Sequence, residues 1–250
     1  MSRGLGDVYK RQLNLFLWDG ELIGRENLPR SGPAVFIANH LESVGPIAAA
    51  CSIPLRMFAW VVADMVDEEK AADYLQWDFV ERTLKFKPPL SRWAARGLSK
   101  LSVPFLCGLG CIPVYRGEYD RMADTLRLSL DVLRQGQYLL VFPEDNQLPA
   151  DPLTGMRPFQ HSFARLGEKY YAETGERLEF YPVAIHASGY VMVGKMVTFN
   201  PNYAVGVERQ SLKRLMENAV KSMYMQMEEE DSSNMLTPQQ NQHPTGALLR

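Results

Sequence analysis

No run of apolar residues in this chain reaches the roughly 18 that a membrane-spanning helix needs, so an integral helical protein is not expected. Cysteine is scarce as well. Cys51, Cys107 and Cys111 form no even set for a disulfide framework, and Cys107/Cys111 lack the second Cys/His pair of a zinc site. They read as small buried residues in a reducing, cytosolic setting. An excess of one charge is missing too: 27 Lys and Arg stand against 29 Asp and Glu, so no global field favours nucleic acid or an anionic membrane, which leaves only local basic patches to attract either. There is no HExxH signature and no GxSxG elbow, which leaves metalloprotease and serine-hydrolase readings without support. The first residues also lack the apolar region of a signal peptide.

The 250 residues are 46% hydrophobic, enough to bury one large core. Residues 1–12, MSRGLGDVYKRQ, resemble translated linker sequence and are set aside as a non-native or disordered leader. From Glu228 the composition turns acidic and then polar, which reads as a disordered tail over 228–250. Residues 13–227 show no repeat or internal linker and read as a single domain.

Within that domain, strand and helix signals alternate, as in an α/β fold with a central mixed sheet flanked by helices. Leu13–Trp18 is an apolar entry segment. Strands are expected at Ala34–Ala38, Arg56–Val62, Cys111–Tyr115, Tyr138–Phe142, Leu178–Ile185 and Tyr190–Phe199. Helices are expected over Asp67–Lys85, Tyr119–Gln135, Phe159–Ala172 and Glu208–Glu229. Gly136 would cap the second of these, and the methionines of the last would pack in the core. Leu101–Leu109 reads as core, with dipping into a membrane interface as the alternative.

The strongest chemical signal is Asn39-His40, directly after the apolar run Ala34–Ala38. Strand ends of open α/β sheets carry ligands and reactive groups, and imidazole suits proton transfer near neutral pH. His40 is therefore the candidate general base. His161 and His186 read as packed or surface histidines.

Four segments occur in a recognisable order. They are GPAVFIANHLESVGP over 32–46, Gly110-Cys111-Ile112-Pro113-Val114-Tyr115-Arg116, Val141-Phe142-Pro143-Glu144 and Tyr181-Pro182-Val183-Ala184-Ile185. Together they resemble the glycerolipid acyltransferases of the lysophosphatidic-acid acyltransferase type, the PlsC-like superfamily. The resemblance implies that histidine deprotonates a glycerol hydroxyl, which attacks an acyl thioester. It assigns His40 as base, Arg116 to the acceptor phosphate, Glu144 to ordering of the acceptor site, and Pro182 to the substrate-binding strand. A surface ion pair is the alternative for Arg116, and a turn cap for Glu144.

Two departures stand out. The family's aspartate, five residues after the histidine, is here Gly45, so Glu42 or Ser43 would have to supply the ring's oxygen partner. Asp145-Asn146-Gln147 follows Glu144 where the family shows glycine, threonine and arginine, which leaves Arg157 or Arg165 as substitute cation. The implied partners are acyl-coenzyme A or acyl-acyl carrier protein, a lysophospholipid or glycerol-type acceptor, and a membrane surface contacted peripherally from the cytoplasm. No other cofactor and no nucleic acid are implied. A lipid-binding or acyl-carrier-binding descendant without turnover is the second reading, and thioester hydrolysis the third.

Overall fold

The computed structural model describes residues 20–41, 45–82, 84–115 and 119–236. Its strands are β1 (Leu22–Ile23), β2 (Ala34–Ala38), β3 (Met57–Val62), β4 (Ile112–Val114), β5 (Tyr138–Val141), β6 (Glu179–Ile185), β7 (Val191–Val193) and β8 (Val197–Thr198). Its α-helices are α1 (Gly45–Ser52), α2 (Ala71–Leu75), α3 (Leu90–Leu109), α4 (Tyr119–Arg134), α5 (Ala164–Thr174) and α6 (Val205–Leu236).

The strands form one mixed sheet in the order β1-β7-β6-β2-β5-β3-β4, with β8 also paired to β6. Among these strands, only the β6–β7 and β6–β8 pairs are antiparallel. Central β2 is buried on both faces, which is why it reads as a continuous apolar run. Val35 and Ile37 join the core beneath α4, α5 and α6. Ala34, Phe36 and Ala38 join the opposite core with Ala48 and Ala49 of α1. Gly32 and Gly136 set the start of the β2–β5 pair, because a Cβ on Gly32 would lie 2.2 Å from the Gly136 carbonyl oxygen. Gly136 closes α4 with a φ of 69°, as a glycine after a helix end does.

Several expected elements change on folding. The Tyr190–Phe199 strand splits into β7 and β8 beside Pro182. The Pro182 carbonyl accepts from Gly194 N–H (2.9 Å), so its nitrogen, which has no hydrogen, faces the same neighbour and a ladder bond is lost there. The helix expected over Asp67–Lys85 shrinks to α2 followed by a π-helical turn at Gln76–Glu81. That wider turn lets Leu75 and Val80, five apart, share a small core with Ala95. Phe159 bridges to Glu144 instead of starting α5.

The tail expected from 228 is helical to Leu236, since α6 continues through the acidic run and Glu228 reaches the buried His186. Met216 and Met227 do pack in the core. Cys107 is exposed and not buried, while burial pushes the Cys111 thiol up to about 11. Helices α1 and α3 were not foreseen, and α3 extends through Gly108 to Leu109. The leader and the Leu13–Trp18 segment lie outside the described residues.

Candidate functional site

Parallel pairing decides which residues meet. β2 and β5 align Ile37 with Val141, so three residues beyond each lie His40 and Glu144, level with one another at the carboxyl edge of the sheet. There the main-chain N–H of His40 donates to Glu144 Oε1 at 2.6 Å. Glu144 Oε2 accepts from the N–H of Arg157 at 2.9 Å. The loop after β5 folds back to make this possible: Asp145 N–H donates to the Pro158 carbonyl and Gln160 N–H to that of Pro143. One carboxylate thus ties two chain segments through their amides.

Burial pushes the Glu144 carboxyl above its usual range, while the two main-chain donors and the charges of Arg157 and Lys221 pull it back. Both oxygens are committed to the backbone, so Glu144 positions His40. A glutamine side chain in its place could accept from only one N–H and would turn its NH2 group toward the other. Glu144→Gln is therefore expected to destabilise the protein by about 0.5–1.5 kcal/mol, the net worth of one hydrogen bond at a partly exposed site. Urea midpoints of the two proteins check this; equal midpoints would remove Glu144 from its positioning role.

His40 itself is exposed, and its ring stands edge-on to Phe142 with centroids 5.3 Å apart. Asn39, just before it, is buried. Its Nδ2–H donates to the Ile185 carbonyl at 3.0 Å, and its Oδ1 accepts from Ile185 N–H at 2.8 Å. Main-chain pairing of β2 with β6 ends at Ala38–Val183, and the amide side chain extends that ladder by imitating a peptide group. Sequence reading had missed this function of Asn39; a lone amide directly after a fully apolar strand was the available signal.

Gly45 opens α1 and donates its N–H to Leu41 O at 3.0 Å, so the chain turns back onto the strand end. A Cβ there would touch the main chain of Asn39 and His40 at 3.4–3.6 Å. The position that carries aspartate in the resembled family thus lies against the backbone of His40.

The other expected site residues scatter. Arg157 enters the site by its backbone, and its guanidinium donates to the Leu148 carbonyl. Pro182 is buried within β6 alongside Ile37, with its ring near Gly194 and Met223. Arg165 lines a different hollow, between α4 and α5, with its Nε buried and without a hydrogen-bond partner. His161 is exposed in a bend before α5. His186 is buried, paired to Ser188 and Glu228 at 2.6 Å each. Glu42, Ser43 and Arg116 lie outside the described residues.

No known family profile and no curated protein matches the chain by sequence. By structure it is similar to the 1-acyl-sn-glycerophosphate (LPA) acyltransferase PlsC from Thermotoga maritima. The TM-score is 0.51 at 12% identity, over 87% of this chain and 80% of that one. The chain therefore shares the α/β fold of that acyltransferase, a central mixed sheet flanked by helices.

Proposed function

We propose that the protein transfers a fatty acyl group from a thioester donor, acyl-coenzyme A or acyl-acyl carrier protein, to a hydroxyl of a glycerol or lysophospholipid acceptor, a step of phospholipid biosynthesis. His40 is the general base. Its imidazole takes the hydroxyl proton, the oxygen attacks the thioester carbonyl, the C–S bond breaks, and the ring returns the proton to the departing thiolate. The observation that carries this reading is an exposed histidine held by Glu144 at the carboxyl edge of a PlsC-like sheet. Arg116 is the proposed phosphate ligand, Glu42 the oxygen partner of the ring, and Arg157 the supporting cation. The protein works from the cytoplasm against the membrane face.

Gly45 favours a second reading, in which the same fold binds lipid or acyl carrier without turnover. The test offers labelled acyl-coenzyme A and lysophosphatidic acid to the full chain and to His40→Ala, with lipid and free fatty acid resolved separately. Acylated lipid that disappears in the variant is the expected result. Free fatty acid alone would replace transfer with hydrolysis. No product from acyl-coenzyme A, nor from acyl-acyl carrier protein offered in its place, with lipid still bound, would leave the binding reading.

A further inference from the structure

Helix α3 is built inside out. Its protein-facing side is small and partly polar: Ser91, Ala95, Ser99 and Val103 are buried. Its bulkiest side chains point the other way, with Trp93 76%, Leu101 73% and Phe105 59% exposed. At 100° per residue these three and Leu90 fall in an uncharged arc roughly 120° wide. Trp77, 78% exposed, adds to the apolar surface from the π-helical turn that packs on α3. Sequence reading placed Leu101–Leu109 in the core; the structure puts most of that apolar surface in solvent.

Beside the apolar arc runs a cationic flank formed by Arg92, Arg96 and Lys100, all exposed. From Arg82 to Gly110 the chain has six Lys and Arg and no Asp or Glu, in a protein whose net charge is −2. The nearest acid in sequence, Glu81, accepts from Gln76 (2.7 Å) and Ser91 (2.8 Å), and these bonds together with the Arg92 charge hold its carboxyl below the usual range. Exposed Asp73 on α2, near Arg92 and Arg96, is the one opposing carboxylate among the residues lining that hollow.

We propose that this face of α3, with Trp77 beside it, lies flat on an anionic phospholipid bilayer. The apolar arc enters the headgroup boundary and the cationic flank meets lipid phosphates. Charge selects the occupant. A second copy docked by the same face would set the three cations of its flank against three more, which like-charge repulsion opposes. Among the described residues no helix is long and apolar enough to cross a membrane, so α3 would lie on the surface. The segment leaves the sheet through the turn Ala63–Met65 after β3. β3 runs parallel to β5, and β5 to β2, so it departs from the edge that carries His40. The surface rests on its own residues; the acyl-transfer reading supplies only the reason a bilayer is useful at that edge.

The test is sedimentation of the full chain with phosphatidylcholine vesicles, with and without phosphatidylglycerol. Binding is expected with phosphatidylglycerol and is expected to weaken with salt. Trp93→Ser/Leu101→Ser/Phe105→Ser should lower partitioning on the order of tenfold or more, because binding scales with buried apolar area. Arg92→Gln/Arg96→Gln/Lys100→Gln should erase the preference for anionic vesicles. All substituted side chains are exposed, and circular dichroism reports the fold of each variant. Binding unchanged in both triple variants, or no vesicle binding by the unmodified chain, would overturn the proposal. So would concentration-dependent dimerisation through this face. His40→Ala should bind vesicles normally, so an inactive protein that still binds leaves the surface standing and removes only the acyl-transfer reading.

Discussion

Replacing Gly45 by Asp is expected to raise the proposed acyl transfer by His40 on the order of tenfold, by adding a carboxylate at the family position to the oxygen partner proposed at Glu42. A general-base histidine depends on a carboxylate to hold its tautomer and stabilise its charged form, and loss of that partner costs on the order of ten thousandfold in a serine-protease triad. A Cβ fits there without a clash. A Cβ at Gly45 meets Asn39 O at 3.4 Å and His40 C and Cα at 3.5 and 3.6 Å, which are ordinary contacts. Gly45 is not among the residues of positive φ, so a side chain adds no left-handed strain. It is also the first residue of α1, where the helix dipole favours an anion by about 0.3–1 kcal/mol. The measurement is kcat against pH for the natural protein, Gly45→Asp and Gly45→Asn. Asn has the same shape without the charge, so it should gain far less. The carboxylate should also raise the pH at which the ring loses its proton, moving the acidic limb of the profile upward. If Asp and Asn behave alike while both proteins fold, a carboxylate at position 45 is not what limits His40.

The strands that frame His40 were legible because a strand buried on both faces must be apolar throughout, as Ala34–Ala38 and Leu139–Val141 are. The meeting of His40 with Glu144 was not, since it depends on a parallel register between segments 104 residues apart. Only folding sets Ile37 beside Val141. Helix α3 escaped notice for a different reason. Its apolar period points outward, while Ser91 and Ser99 occupy the side that usually announces a core, and Pro88-Pro89 reads as a break. The acidic run at Glu228 looked like a solvated tail because composition cannot register one buried histidine. His186, 3% exposed and stacked edge-on to Tyr224, gives Glu228 a fixed partner and gives α6 a reason to continue.

Asn39→Ala is expected to lower stability by about 2–5 kcal/mol, a large effect for one side chain, because it strands two groups at once. Ile185 would lose the acceptor for its N–H and the donor to its carbonyl, in a strand end where Ile185 is fully buried and Asn39 itself is 2% exposed. Main chain cannot replace the amide, since β2 and β6 have already parted after Ala38–Val183. The urea midpoint should fall with the slope unchanged. Asn39→Asp separates the two bonds. Its carboxylate can still accept from Ile185 N–H but sets an oxygen against the Ile185 carbonyl, and only the protonated acid restores a donor. The folded state should therefore raise that carboxyl's pKa, so the variant should be most stable at low pH and lose stability as pH rises through the raised value. An Asn39→Ala midpoint close to the natural one would show that the strand end relaxes enough to satisfy Ile185 by other means. The double variant Asn39→Ala/Glu144→Gln tests whether the clamps act together. Each holds one side of the chain that carries His40, so once either is released the other has less ordered structure to keep. The combined loss should then fall short of the sum of the two single losses.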